Sequence, residues 1–286
     1  MKMFSPKNLA ELMEALPKMG EKGKVAAGCT DIAIALKEGR VRPSCLLNVL
    51  DVEEMRAISP GEGALEIGAA VPFSEIASAG AVREYLPALS DAAAHVGSTQ
   101  IRNRGTIGGN IGSASPAGDM LPVMLLCGTI LRVADASGEI TKRPFASMLT
   151  HGRVTPPANG QVIVSVLIPA PSPGNVSAFV KLGSRTEVTI AKLSVAMSLN
   201  FNAAGRISSP IITLGALART PIFAKEAMAA IEGRLPDESA LPRLSEALVR
   251  DVEEAIPGRY SLPYKRHAVR GTAADVFEKT ISRRTI

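Results

Sequence analysis

The most informative stretch of this 286-residue chain is QIRNRGTIGGNIGSASPAGD, residues 100–119. Its second part, residues 106–119, has almost no bulky side chains and runs directly into an apolar segment. Glycines permit backbone conformations that other residues avoid, and successive N–H groups can then form a concavity that binds anions. The hydroxyl groups of Thr106, Ser113 and Ser115 offer further donors. The sequence therefore predicts a glycine-rich phosphate-binding loop here.

A second candidate phosphate site is the segment VAAGCTDI, residues 25–32. This pattern predicts a short strand, a tight turn at Gly28 and the start of a helix. The N-terminus of a helix carries partial positive charge, which favours phosphate. A strand–glycine–helix turn is common in α/β proteins, so a purely structural turn is the alternative. Neither segment matches GxGxxG or the P-loop pattern, which disfavours a Rossmann domain and a P-loop NTPase.

The cysteine count, the charge and the hydropathy of the chain argue against metal sites, nucleic-acid binding and membrane insertion. Cys29, Cys45 and Cys127 share no CxxC spacing and the three histidines do not cluster, so we expect no metal or iron–sulfur site. The net charge of +5 comes from scattered basic residues, and aromatic residues are only 3%, which argues against nucleic-acid binding. No apolar run would span a bilayer and the first residues lack a signal-peptide core. We therefore expect a soluble cytoplasmic protein without membrane insertion.

The hydrophobic pattern predicts an α+β protein with a linker at PAPSPG, residues 169–174. Before the linker, short strands and short helices are predicted, including one helical stretch over 82–96. Large and small residues alternate over 193–201, which predicts a half-buried strand. Strands followed by helices suggest an α+β domain beyond the linker. The strands are predicted at 178–181, 193–201 and 211–217, and the helices at 224–232, 239–254 and 263–281.

Four segments resemble the FAD-binding subunit of molybdenum hydroxylases, the family of xanthine dehydrogenase and carbon monoxide dehydrogenase; one of them, YKRH at 264–267, resembles the closing helix of that family. Residues 100–119 resemble a long string specific to that family, AGCTD at 27–31 resembles its first FAD loop, and 179–192 resembles its flavin-side segment. The resemblance covers essentially the whole chain. The sequence departs from the family pattern at Cys29, where the family usually has glycine. A side chain at this position affects how closely the backbone can approach a ligand.

The resemblance implies a vanillyl-alcohol-oxidase-type (PCMH-type) FAD-binding domain over 1–173, built from two α+β subdomains. A CO-dehydrogenase-flavoprotein-type C-terminal α+β domain over 174–286 would cover the flavin. Asp119 would accept a hydrogen bond from an FAD hydroxyl. Val96 and Ile163 would also contact FAD, and the alternative interpretation is that both are ordinary hydrophobic core residues. The cofactor-binding residues that the resemblance implies are Lys24, Val25, Ala26, Ala27, Gly28, Cys29, Thr30, Asp31, Ile32, Val96, Thr106, Gly109, Asn110, Ser115, Asp119, Ile163 and Lys181.

The resemblance also implies a subunit that works inside an oxidoreductase complex, a dimer of heterotrimers. A large partner subunit would hydroxylate the substrate at a molybdenum cofactor, and a small partner subunit would carry two 2Fe-2S clusters. Electrons would reach FAD on this chain and leave to NAD+ or another acceptor. The low cysteine count agrees, because the chain lacks ligands for such clusters. Thr30-Asp31 leans towards the xanthine dehydrogenase branch.

Lys181 is the candidate for tuning the flavin, because a nearby cation favours an anionic reduced flavin; a solvated surface lysine is the alternative. No acid–base pair is required, since the cofactor carries the chemistry. Three alternatives stay open for the function. They are a stand-alone FAD-dependent oxidase, a non-catalytic nucleotide-binding or scaffold protein, and, within the family, the medium subunit of a carbon monoxide or aromatic-substrate dehydrogenase.

Overall fold

Short helices and strands alternate in the first two thirds of the chain, and three helices close it. The computed structural model describes residues 1–186 and 188–284. The strands are β1 Lys2–Phe4, β2 Lys24–Ala26, β3 Cys45–Asn48, β4 Ile58–Gly61, β5 Ala64–Gly68, β6 Ile130–Ala134, β7 Ile140–Pro144, β8 Leu149–Thr150, β9 Arg153–Val154, β10 Val162–Pro169, β11 Val176–Leu182, β12 Leu193–Phe201, β13 Ile207–Gly215 and β14 Ile222–Phe223. The helices are α1 Leu9–Ala15, α2 Ile32–Lys37, α3 Phe73–Ser78, α4 Gly80–Tyr85, α5 Pro87–Ala94, α6 Thr99–Arg102, α7 Ile107–Ser113, α8 Met120–Leu126, α9 Lys225–Ile231, α10 Ala240–Ala255 and α11 Leu262–Ile281. Among these described helices, none is both long enough and apolar enough to cross a membrane.

These elements pack into two units whose segments interleave along the chain. The first unit comprises residues 1–76, 98–115 and 128–170, and the second comprises 77–97, 116–127 and the described residues from 171 onwards. The last crossing, between 170 and 171, falls in the predicted linker. The division differs from a single boundary at 173/174 because α5 and α8 precede the linker but pack on the sheet that follows it.

The first unit contains a small parallel sheet and a larger antiparallel one. The parallel sheet has the strand order β1-β3-β2, and the antiparallel sheet has the order β4-β5-β10-β6-β7. The short strand predicted before the turn at Gly28 is confirmed as β2. Strand β10 lies in the centre of its sheet, so it is buried along most of its length.

The predicted glycine-rich loop is wrong in part, because helix α7 occupies its first half. Thr106 precedes this helix, and its Oγ1 accepts the N–H of Gly109 at 3.1 Å, which caps the helix. The glycines in this described segment all have ordinary backbone angles, and it is Ala114, at φ 51°, that adopts the left-handed conformation and ends α7. Backbone freedom is therefore not the reason for these glycines.

The second unit is an antiparallel sheet of order β11-β12-β13-β14 with helices on both faces. Val195 and Met197 belong to the core that includes α9, α10 and α11. On the other face, Ser177 Oγ accepts the N–H of Ala88 on α5, and Thr213 Oγ1 donates to the carbonyl of Pro122 on α8 at 2.8 Å. Strand β12 is consequently buried on both faces from residue 193 to 199, so the half-buried strand predicted here is wrong.

The predicted helical stretch over 82–96 is two helices. Helix α4 ends at Tyr85, and α5 begins at Pro87. Proline has no N–H for an intrahelical bond and clashes with the preceding turn, but its fixed φ suits the first position of a new helix. The chain therefore changes direction at this proline.

Asp251 on α10 caps the first turn of α9 from the interior of the second unit. Its carboxylate accepts the N–H groups of Glu226 at 3.0 Å and Ala227 at 2.9 Å, while burial raises its pKa. We expect Asp251→Ala to lower the free energy of unfolding by about 2 kcal/mol, because two N–H groups lose their acceptor. Urea unfolding measures this loss. The matched control is Asp237→Ala, which removes an exposed carboxylate from the N–H of Ser239; an equal loss in both variants would contradict the prediction.

Candidate functional site

The two candidate phosphate-binding segments, residues 25–32 and 100–119, are called the glycine-rich segments below. They meet inside the first unit, where Gly28 lies against Arg104. A Cβ built on Gly28 would overlap both atoms of the Arg104 carbonyl group. A Cβ on Gly108 would lie 2.6 Å from the Cβ of Ala69, closer than such atoms approach. Only glycine therefore lets the turn after β2 pass against the segment before α7. Both positions therefore require glycine because there is no space for a side chain. At Gly28 this close packing brings backbone from the two segments together.

Cys29 lies in this turn in the left-handed conformation, at φ 63°. Its Sγ donates to the carbonyl of Ala27 at 3.3 Å. A non-glycine residue in this conformation costs about 1 kcal/mol, so glycine is the residue that would fit it best. The departure from the family pattern at this position therefore changes backbone strain, whereas the close approach is made by Gly28. Asp31, which precedes α2, makes no side-chain capping hydrogen bond.

The start of α7 contributes a polar side chain with an unsatisfied atom. The Oδ1 atom of Asn110 is buried and has no hydrogen-bond partner among the described residues. A buried polar atom without a partner costs about 1–3 kcal/mol, so such atoms in native proteins usually meet a ligand or water. Thr106 is buried and already occupied by Gly109, although its hydroxyl can still donate a proton. This end of α7 suits a ligand that carries hydrogen-bond donors and acceptors.

Lys181 and Asp119 form a buried ion pair inside the second unit. Lys181 Nζ lies 2.6 Å from Asp119 Oδ2, and the two side chains are 5% and 6% exposed. Lys181 Nζ also donates to the carbonyl of His95 at 3.0 Å. The solvated surface lysine that was the alternative for Lys181 is therefore wrong. Strand β11 supplies the lysine, the residue before α8 supplies the aspartate and the end of α5 supplies the carbonyl.

Asp119 keeps one carboxylate oxygen free of protein partners. Its Oδ1 is buried and accepts no hydrogen bond from the described residues. Burial raises the pKa of Asp119 from 3.8 to about 6, although the adjacent Lys181 ammonium lowers it. An ionised oxygen in such a position accepts a hydrogen bond from a ligand hydroxyl at little further desolvation cost. Asp119 can thus accept a hydrogen bond from a ligand hydroxyl through Oδ1, with the Lys181 charge beside it.

The predicted binding residues fall into two groups, one in each unit. Ile163 is buried in β10 opposite Val133, as a core residue would be, and Ser115 is exposed. Sequence reasoning missed the carbonyl groups of Arg104 and His95, because no residue pattern marks a backbone acceptor. The first unit holds Lys24–Ile32, Thr106, Gly109, Asn110, Ser115 and Ile163, and the second holds Val96, Asp119 and Lys181.

Two family models match the chain almost end to end. Residues 1–171 match the FAD binding domain in molybdopterin dehydrogenase, and residues 178–280 match the CO dehydrogenase flavoprotein C-terminal domain. In the first unit, the buried Asn110 Oδ1, which has no partner among the described residues, and the close backbone approach at Gly28 fit that cofactor. In the second unit, Asp119 Oδ1 is likewise a buried acceptor without a partner in the described part of the chain. The fold and site define the subunit of a flavin-dependent oxidoreductase. The chain belongs to the FAD-binding subunits of the molybdopterin dehydrogenases.

Known proteins are similar to this chain over nearly its full length. The nicotinate dehydrogenase FAD-subunit of Eubacterium barkeri is 28% identical over 281 residues, covering 96% of this chain and 94% of the relative. The xanthine dehydrogenase FAD-binding subunit of Escherichia coli O157:H7 is 24% identical with the same coverage. The crystal structure of quinoline 2-oxidoreductase from Pseudomonas putida 86 matches with a TM-score of 0.87 at 26% identity, covering 98% of this chain and 96% of that one. The predicted family, fold class, FAD cofactor and oxidoreductase class are confirmed.

Proposed function

We propose that this chain carries electrons within a molybdenum hydroxylase. A small partner subunit with 2Fe-2S clusters would deliver them, a large partner subunit would hold the molybdenum cofactor, and NAD+ or another acceptor would take them from this chain. The observation that carries the proposal is a full-length FAD-binding fold whose cysteines are three separate free thiols. Such a chain depends on partners for its clusters. We expect a cytoplasmic dimer of heterotrimers.

We assign the FAD pyrophosphate to the two glycine-rich segments of the first unit, residues 24–32 and the start of α7 with Ser115. Backbone N–H groups at these turns suit phosphate oxygens. We assign an FAD hydroxyl to Asp119, whose Oδ1 is buried without a partner among the described residues. When bound, FAD supplies the electron-accepting and electron-donating chemistry. The residues of this chain bind it, orient it and set the charge around it.

The branch within the family is proposed on a narrower basis. Thr30-Asp31 favours a xanthine dehydrogenase-like complex, and the Escherichia coli relative supports it. The nicotinate-named relative, at 28% identity, supports a medium subunit of an aromatic-substrate dehydrogenase as the second candidate. The two are separated by assaying the purified complex with purines and with pyridine carboxylates, each with NAD+ and with an artificial acceptor dye.

Affinity purification of the chain from its host tests the function itself. We expect a yellow complex with two further subunits, one containing molybdenum and one with the absorbance of 2Fe-2S clusters. Two results would overturn the proposal. One is an isolated chain that, loaded with FAD, oxidises an organic substrate without partners, as a stand-alone oxidase would. The other is a chain that stays colourless after incubation with FAD, as a non-catalytic scaffold would.

Lys181 is proposed to raise the reduction potential of the bound flavin. We expect Lys181→Met to lower that potential by at least about 30 mV, or about 1.4 kcal/mol for two electrons, because a cation favours the anionic reduced form. The effect should be larger below about pH 6, where protonated Asp119 no longer neutralises Lys181. Spectroelectrochemical titration measures it, with Lys181→Arg as the control that keeps the charge. An unchanged potential in a variant that still binds FAD contradicts this role.

A further inference from the structure

A further carboxylate, that of Asp91 on α5, is largely buried at the junction of α5, β11 and the end of α11. The guanidinium of Arg283 donates to both of its oxygens at 2.8 Å, and Lys279 Nζ lies 3.0 Å from Oδ1. The Asp91 side chain is only 12% exposed. Burial raises its pKa, but the hydrogen bonds from Arg283 and from the N–H of Phe179 outweigh this, so the pKa lies below its usual value. Asp91 is therefore a permanently charged anchor at physiological pH.

This cluster satisfies the outer edge of β11, which is the edge strand of its sheet. The N–H of Phe179 donates to Asp91 at 3.1 Å, and its carbonyl accepts from Lys279 at 3.3 Å. The carbonyl of Ser177 accepts from Arg283 at 2.6 Å. Edge strands present unpaired backbone N–H and C=O groups, which need other partners. Here Asp91, Lys279 and Arg283 are the partners of the backbone groups of Ser177 and Phe179.

Two of the contacts between the region of α5 and β11 have the same spacing on both elements. At the first, Asp91 accepts the N–H of Phe179; at the second, the carbonyl of His95 accepts Lys181 Nζ at 3.0 Å. Asp91 and His95 are four residues apart, so they follow one another along the helix, and Phe179 and Lys181 are two apart, so they share one face of the strand. The His95 ring also approaches the Phe179 ring, at 6.4 Å between centroids. The two contacts are therefore neighbours along both elements.

We propose that Asp91, with Arg283 and Lys279, is a positioning residue that holds Lys181 against Asp119 and the carbonyl of His95. The charge beside the flavin would then depend on the last turn of α11 and on Arg283 just beyond it. This inference rests on the function proposed for Lys181. It adds that the chain's C-terminal helix sets the geometry of that lysine through a buried carboxylate.

The test measures the flavin reduction potential and the thermal unfolding of the FAD-loaded full chain. Asp91→Asn and Arg283→Gln remove the charge pair from either side, and Arg283→Gln serves if Asp91→Asn does not fold. We expect both to shift the potential in the same direction as Lys181→Met, and to add no further shift when combined with it, because coupled residues are not additive. Glu246→Gln is the control, since it removes a surface carboxylate on α10 that pairs with Arg270 on α11; it should leave the potential unchanged.

The outcomes separate this inference from the proposed function. If Lys181→Met leaves the potential unchanged, the role of Lys181 fails and this inference fails with it. If Lys181→Met shifts the potential but Arg283→Gln and Asp91→Asn only lower the unfolding temperature, the cluster is merely structural and this inference alone is overturned. Shifts that add independently to that of Lys181→Met would also overturn it.

Discussion

Gly28→Ala is expected to abolish FAD binding and to lower the free energy of unfolding of the first unit by more than about 3 kcal/mol. The added Cβ would overlap the Arg104 carbonyl group. Both partners in this clash are backbone, so no side-chain rotation relieves it and the two glycine-rich segments must separate. Quenching of FAD fluorescence measures binding, and urea unfolding of the FAD-free protein measures stability.

Gly112→Ala is the matched control for this substitution. A Cβ on Gly112 meets nothing within 4 Å, and the residue lies on the exposed side of α7. Alanine is favoured over glycine within a helix by up to about 1 kcal/mol, so the unfolding midpoint should stay constant or rise slightly. Normal FAD affinity in Gly28→Ala would show that the two segments do not approach as closely as described.

Lys181→Met is expected to cost about 3–5 kcal/mol of folding free energy at about pH 8, because it leaves the Asp119 carboxylate buried without its cation. Both side chains are almost fully buried, so water cannot replace the lost partner. The exposed pair of Lys7 and Asp51 gives the comparison, since Lys7→Met should cost less than about 1 kcal/mol. Urea unfolding of the FAD-free variants measures both losses.

The cost of Lys181→Met should depend on pH in a defined direction. Burial already raises the folded-state pKa of Asp119 above its unfolded value of 3.8, to about 6, and removal of Lys181 raises this pKa further. A raised carboxyl pKa contributes stability that is present below the unfolded pKa and is lost as pH rises through the folded pKa. The variant should therefore lie nearest to wild type at about pH 4–5 and furthest from it above about pH 7.

The double variant Lys181→Met/Asp119→Asn provides the check on this explanation. Without a buried charge, it should recover most of the loss at neutral pH and show little of the added pH dependence. A loss in Lys181→Met that is the same at every pH would point to lost packing of the lysine stem instead.

Local patterns predicted those elements whose formation depends on nearby residues. The strand expected at 193–201 is β12, and the helices expected at 239–254 and 263–281 are α10 and α11, within one residue at each end. Helix α7 escaped prediction because its glycines have low helix propensity. It forms through the Thr106 cap, which is a local contact, and through packing of Gly108 against Ala69. The second contact joins residues that are distant in sequence, so local patterns do not reveal it.

By itself, the sequence determined the family and the FAD cofactor, since a long specific motif is readable without a fold. Tertiary structure alone decided which atoms meet. Lys181 pairs with Asp119 across 62 positions, and Arg283 with Asp91 across 192. Propensities and capping act over a few residues, whereas such pairs form only when packing brings distant segments together and removes water from between them. The burial of these charged pairs, and therefore the strength of the electrostatic interaction within each pair, is decided by the tertiary structure.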